Sequence, residues 1–109
     1  MNGFASKLEA ALYQQLWLRQ CAGEIRELKC QESVWLTEAR IEYKADFSFF
    51  DVKQSCKVWA EAKGFETAIW KLKLRLYRTY GPGPLELYYG TAKNVWLAET
   101  IIPRLSSPA

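Results

Sequence analysis

The chain has 109 residues, half of them apolar and 15% aromatic, with a formal net charge of +3 and no histidine. Length and composition fit one folded domain and argue against disorder. Without histidine, Ser/His and Cys/His nucleophilic dyads are excluded and a structural zinc site is disfavoured, while the mild basic excess is compatible with a polyanionic partner.

In chain order, "SKLEAALYQQLWLRQCAG" predicts a helix with Ser6 as N-cap and Gly23 as its stop. "EIRELKCQESVWL" predicts a strand or a short strand pair. "ARIEYKADFSFFD" alternates, with Ile41, Tyr43, Ala45, Phe47 and Phe49 expected on one face and Glu42, Lys44, Asp46 and Ser48 on the other. "VKQS" is a polar turn, and "CKVWAEAKG" a strand ended by Gly64. "TAIWKLKLRLYRTY" predicts a helix starting at the N-cap candidate Thr67. "GPGP" is a break, "LELYYG" a short strand, "KNVWLAETIIP" a further strand, and "RLSSPA" a loose tail.

The resulting order is α-β-β-β-α-β. The β-α-β part, Lys57 to Tyr89, should be a crossover between parallel strands, and the earlier strands should be antiparallel. The expected fold class is α/β, a mixed sheet flanked by helices. One domain spans 1–109, with its core at about 6–90 and a C-terminal extension at 91–109.

Strand alternation puts Glu61 and Lys63 on one face with Lys57 and Trp59, roughly 7 Å apart along the strand. Ala60 and Ala62 face the other way and leave room for a helix. If the two strands form a hairpin around "VKQS", Asp46 sits beside Glu61. Facing carboxylates repel unless a cation lies between them, and a divalent metal with oxygen ligands satisfies both. Lys63 then stands where it can orient a metal-bound water or stabilise developing charge. The plain alternative is a solvated sheet face, on which Glu and Lys routinely alternate.

Glu9 lies on the inward face of the first helix, with Leu12, Tyr13 and Leu16 at i+3, i+4 and i+7. A charge there needs a partner. Ser6-x-x-Glu9 is also a capping box, and the two roles are compatible. On the second helix, Lys71, Arg75 and Arg78 form a basic stripe. Lys73 falls outside it, on an apolar arc with Ile69, Leu76, Tyr77 and Tyr80. It either snorkels to the edge or points toward the carboxylates or a phosphate.

The segments "SKLEA", "YKADF", "AEAKGFET" and "WKLKLRLY", in that order, resemble the PD-(D/E)XK nucleases, most of all small phage-encoded endonucleases related to Holliday-junction resolvases. The resemblance covers about Ser6 to Gly90 and implies an α-β-β-β-α-β nuclease core. It makes Asp46, Glu61 and Glu9 metal ligands and Lys63 the lysine that positions the attacking water. It sets Lys73 and Tyr77 where members carry a polar residue and a tyrosine. Ala45 departs from the motif name, which has proline there, a proline that many members lack.

The implied reaction is hydrolysis of DNA phosphodiesters, selective for branched or junction DNA, with one or two Mg²⁺ ions that Mn²⁺ can replace. Thr67, Lys71, Lys73, Arg75 and Arg78 are the DNA-contacting candidates, although the basic stripe also reads as an ordinary solvated helix face. Two symmetric cuts in a junction imply a homodimer. The competing readings are a catalytically inactive nuclease-fold module that binds nucleic acid or protein, and a small protein-interaction domain. The tryptophans are expected mostly in the core, with Trp17, Trp35 or Trp96 as candidates to face a partner or bases.

Cys21, Cys30 and Cys56 form no CxxC pair, so they read as reduced thiols. "MNGFASKLEA" has no apolar signal core, and no apolar run is long enough to cross a bilayer. The expected location is therefore cytoplasmic, or the host cytoplasm for a phage-encoded protein, with no membrane contact.

Overall fold

The computed structural model describes residues 6–63 and 66–104. Helix α1 spans Lys7–Cys21 and starts where Ser6 Oγ accepts the Glu9 N–H at 3.0 Å. It ends at Ala22 and Gly23, whose φ of 81° suits a residue without Cβ. Five strands, β1 (Ile25–Cys30), β4 (Phe47–Asp51), β5 (Cys56–Ala62), β6 (Leu85–Gly90) and β7 (Val95–Ile101), make one sheet in the order β1-β4-β5-β6-β7. Strands β2 (Ser33–Trp35) and β3 (Glu42–Lys44) form a separate antiparallel pair. Helix α2 spans Ala68–Tyr80.

The fold is α/β, and α1-β1-β4-β5-α2-β6 is the α-β-β-β-α-β order expected from sequence. The chain β5-α2-β6 joins two parallel strands, and the other neighbours pair antiparallel. The β2-β3 hairpin is inserted between β1 and β4. The C-terminal segment, which has no role in the sequence reading, supplies edge strand β7. Gly64, at which β5 was expected to end, lies outside the described residues, as does the tail beyond Arg104.

Two apolar clusters flank the sheet. On one face Leu12 and Leu16 of α1 pack with Ile25, Phe47, Phe49, Val58, Ala60 and Tyr88. Ala60 has no exposed surface and lets α1 lie close, as its small side chain predicts. On the other face Trp59, Leu85 and Leu87 meet Tyr77 of α2 and the hairpin residues Val34, Leu36 and Tyr43. Fully burying one such Leu or Val is worth about 1.5–3 kcal/mol.

Three sequence expectations fail here. The segment 40–51 is not one alternating strand: β3 ends at Lys44, and a bend at Asp46 precedes β4. Tyr43 and Ala45 therefore join the α2-side cluster while Phe47 and Phe49 join the α1-side cluster. On α2 Leu76 and Tyr77 pack inward as expected, but their companions there are Trp70 and Leu74, with Lys73 half-buried, whereas the expected Ile69 and Tyr80 are exposed. The tryptophans are not mostly core, since Trp17, Trp35 and Trp96 are each about half exposed, at 48%, 51% and 50%.

Candidate metal and nuclease centre

The β4-β5 ladder pairs Ser48 with Trp59 and Phe47 with Ala60. Carried one residue further, that register sets Asp46 beside Glu61. The turn at 52–55 fixes the register, because a one-residue slip would send Asp46 to the opposite face. The bend at Asp46 is the decisive local feature. In an unbroken strand Tyr43 and Asp46 would point to opposite faces. With the alternation interrupted, both reach the end of β5.

Glu61 and Lys63 are each only 9% exposed, and Glu9 only 7%. Asp46 Oδ2 accepts the Ala62 N–H at 2.9 Å, which ties the carboxylate to the β5 backbone between the other two motif residues. The Tyr43 hydroxyl donates to Glu61 Oε1 at 2.8 Å. Lys63 is anchored by its own N–H, which donates to the Tyr88 carbonyl at 2.8 Å. Its ammonium lies 4.1 Å from the centre of the Trp70 ring on α2, a cation–π contact. The lysine head is thus held by α2 while its backbone is held by β6.

Glu9 comes to the same end of the sheet from the first turn of α1. The link is Gln31, in the loop after β1. Its Nε2 lies 3.4 Å from both Glu9 Oε2 and Asp46 Oδ1, and its backbone N–H donates to the Asp46 carbonyl at 2.9 Å. Gln31 has φ 57°, the left-handed region that a residue with Cβ enters at a cost. Sequence reasoning missed both Gln31 and Tyr43. The left-handed turn and the bend that aim them leave no periodic signal. A lone glutamine after a strand of mixed charge and a tyrosine on an apolar face look ordinary.

Burial pushes the Asp46 carboxyl above its ordinary range, against the hydrogen bonds from Ala62 and Gln31 and the Lys63 charge. Burial and then the Asp46 charge push Glu61 well above the usual carboxylate range, with Tyr43 and Lys63 acting the other way. The two acids behave as a pair that resists carrying two full negative charges. Burial, Glu9 and Asp46 also raise the Cys30 thiol, which places it beside the same negative field.

Among the described residues, no three acidic or thiol side chains are grouped closely enough to hold one ion as they stand. The donor chemistry nevertheless fits a hard divalent cation. Every acidic group is a carboxylate, and two of them are held above their ordinary range, a penalty that a cation would relieve.

The remaining candidates are spread along α2. Thr67 is the N-cap, its hydroxyl accepting the Trp70 N–H at 3.0 Å. Lys71 lies one residue past Trp70 and within 4.0 Å of Glu66, near the Lys63 end. Arg78 is about 12 Å further along the helix axis than Trp70 and pairs with Glu99 of β7 at 3.1 Å. Arg75 is exposed. Tyr77 is fully buried and donates to the Gly83 carbonyl at 2.7 Å, so it braces the α2-β6 connection and does not face the carboxylates. Comparison with models of known families, with curated proteins and with solved structures finds no match for this chain.

Proposed function

We propose that the chain is a divalent-metal-dependent DNA endonuclease of the PD-(D/E)XK kind, using Mg²⁺ or Mn²⁺ and acting as a homodimer on branched DNA. The observation that supports it is the register that puts Asp46 beside Glu61, with Lys63 two residues on and Glu9 joined to Asp46 through Gln31. Glu9, Asp46 and Glu61 are the residues that would hold the ion, through carboxylate oxygens. When bound, the ion supplies Lewis-acid polarisation of the phosphodiester and acidifies a water.

The chain's own residues supply the rest. Lys63, held by Trp70 and the Tyr88 carbonyl, presents an ammonium that can donate to a phosphate oxygen and offset charge gathering there. Burial and the Asp46 charge both oppose the ionised form of Glu61, and a bound ion would offset that opposition. Tyr43 fixes Oε1 of that carboxylate. Lys71 and Arg75 on the exposed side of α2 are the residues offered to the phosphate backbone.

The test is nicking of supercoiled plasmid and of a four-way junction by purified protein. Cleavage is expected with Mg²⁺ and none with a chelator, and sedimentation is expected to give a dimer. Lys63→Ala should abolish cleavage while leaving DNA binding in place. An inactive parent protein that still binds DNA would instead identify a non-catalytic binding module.

A further inference from the structure

Gln31 stands at an unusual place. Its side-chain amide nitrogen is equidistant, at 3.4 Å, from an oxygen of Glu9 and an oxygen of Asp46. Those two carboxylates arrive from different elements, α1 and the bend before β4, and the amide is the bridge the structure gives them. An NH₂ group with two donors and a divalent cation are both satisfied by negative oxygens around them. The Gln31 amide therefore stands between two carboxylates that would hold an ion.

The backbone of Gln31 is tied by its own N–H to the Asp46 carbonyl at 2.9 Å, so the residue stays in place when its side chain turns. The residue is exposed, so turning the amide removes no core contact. A half-turn about the last side-chain bond exchanges Nε2 for Oε1, a neutral oxygen of the type that hard cations accept from Asn and Gln.

We infer that Gln31 is an exchangeable ligand of the metal site: its NH₂ bridges Glu9 and Asp46, and a divalent ion displaces that NH₂ and is met by Oε1 of the same amide. This rests on the metal-site reading above. It adds a neutral ligand to the carboxylate set and explains how acids spaced by a bridging amide can close on an ion. No covalent bond changes in the exchange.

Mn²⁺ titrated calorimetrically into the parent protein and into Gln31→Leu tests the inference. The expected result is Mn²⁺ binding at least about tenfold weaker in the variant, the size of loss typical when a metal site is deprived of a supporting group. A second measurement follows the Gln31 side-chain amide in ¹⁵N-labelled parent protein, identified by its disappearance in Gln31→Leu. Its protons should move on addition of Mg²⁺, as the carboxylate acceptors are lost. Equal or tighter Mn²⁺ binding by Gln31→Leu, with the variant folded by circular dichroism, would overturn the inference and leave the amide as a competitor only. An amide signal unmoved at saturating Mg²⁺ would also overturn it. A parent protein that binds neither ion would overturn the metal-site reading as well, which separates the two failures.

Discussion

Glu61 is a buried carboxyl set against a second acid, and its pH dependence has a definite sign. Its carboxyl is pushed up to about 8 in the folded protein by burial and by Asp46. A folded pKa above the unfolded value of about 4.3 means that the folded state holds the proton more tightly. The associated stability is complete below the unfolded value and is lost as pH rises through the folded one. Metal-free parent protein should therefore melt at a lower temperature at pH 8.5 than at pH 5. Glu61→Gln, which keeps an acceptor for Tyr43 and cannot ionise, should flatten this dependence and melt about 5 °C higher than the parent at pH 8.5. A parallel pair of melting curves across that range would refute the assignment. Tyr43→Phe removes the donor to a buried carboxylate and should cost about 1–3 kcal/mol in chemical denaturation. For Glu9, replacement by Gln keeps a residue suited to a capping box, so stability should hardly change. Turnover should fall more than about tenfold if Glu9 grips the ion. Full activity of Glu9→Gln at limiting Mg²⁺ would leave it a cap.

The elements position these residues through their ends. The first turn of α1 brings Glu9 to the sheet, and Ser6 holds that turn. Helix α2 holds the Lys63 ammonium from its own first turn, through Trp70, and Thr67 caps that turn. Thr67→Ala should cost about 1 kcal/mol of stability, the usual loss for an N-cap hydroxyl, seen as a shifted denaturation midpoint. An effect of Thr67→Ala confined to DNA affinity would make Thr67 a contact residue instead. At the β6-β7 connection Gly90 has φ 127°, and a Cβ there would fall 2.0 Å from the Asn94 carbonyl oxygen. Gly90→Ala should destabilise by about 1–3 kcal/mol, because the backbone of the hairpin must shift. That loss would also show β7 to be integral to the fold.

Over the whole molecule, the net charge of +3 is small, so the DNA affinity proposed above would have to come from placement rather than total charge. Arg78 is engaged with Glu99 and lies at the helix end remote from Lys63, whereas Lys71 and Arg75 lie nearer. Lys71→Ala and Arg75→Ala should each weaken DNA binding and lower the salt slope of log K by about 1. Arg78→Ala should change it less. Fluorescence anisotropy over a series of salt concentrations distinguishes these, and an Arg78→Ala effect equal to the others would show that the whole stripe follows the backbone. No helix among the described residues is long and apolar enough to cross a membrane.

Much of this protein is determined by local pattern. The alternation of β5, the polar turn at 52–55, the caps at Ser6 and Thr67 and the break at "GPGP" each act over a few residues, through side-chain period and backbone chemistry. They are enough to set the α-β-β-β-α-β order and to bring Asp46 beside Glu61 and Lys63, since an antiparallel register follows from its turn. What only the tertiary structure decided lies where the pattern is broken. The bend at Asp46 splits one alternating segment in two and turns Tyr43 to the Glu61 side. The inward arc of α2 is set by the sheet it covers, which selects Trp70, Leu74 and Tyr77 over the equally apolar Ile69 and Leu72. Gln31 reaches Glu9 and Asp46 through a left-handed backbone turn. That position depends on three segments distant in sequence meeting at one sheet end, and no spacing along the chain encodes such a meeting.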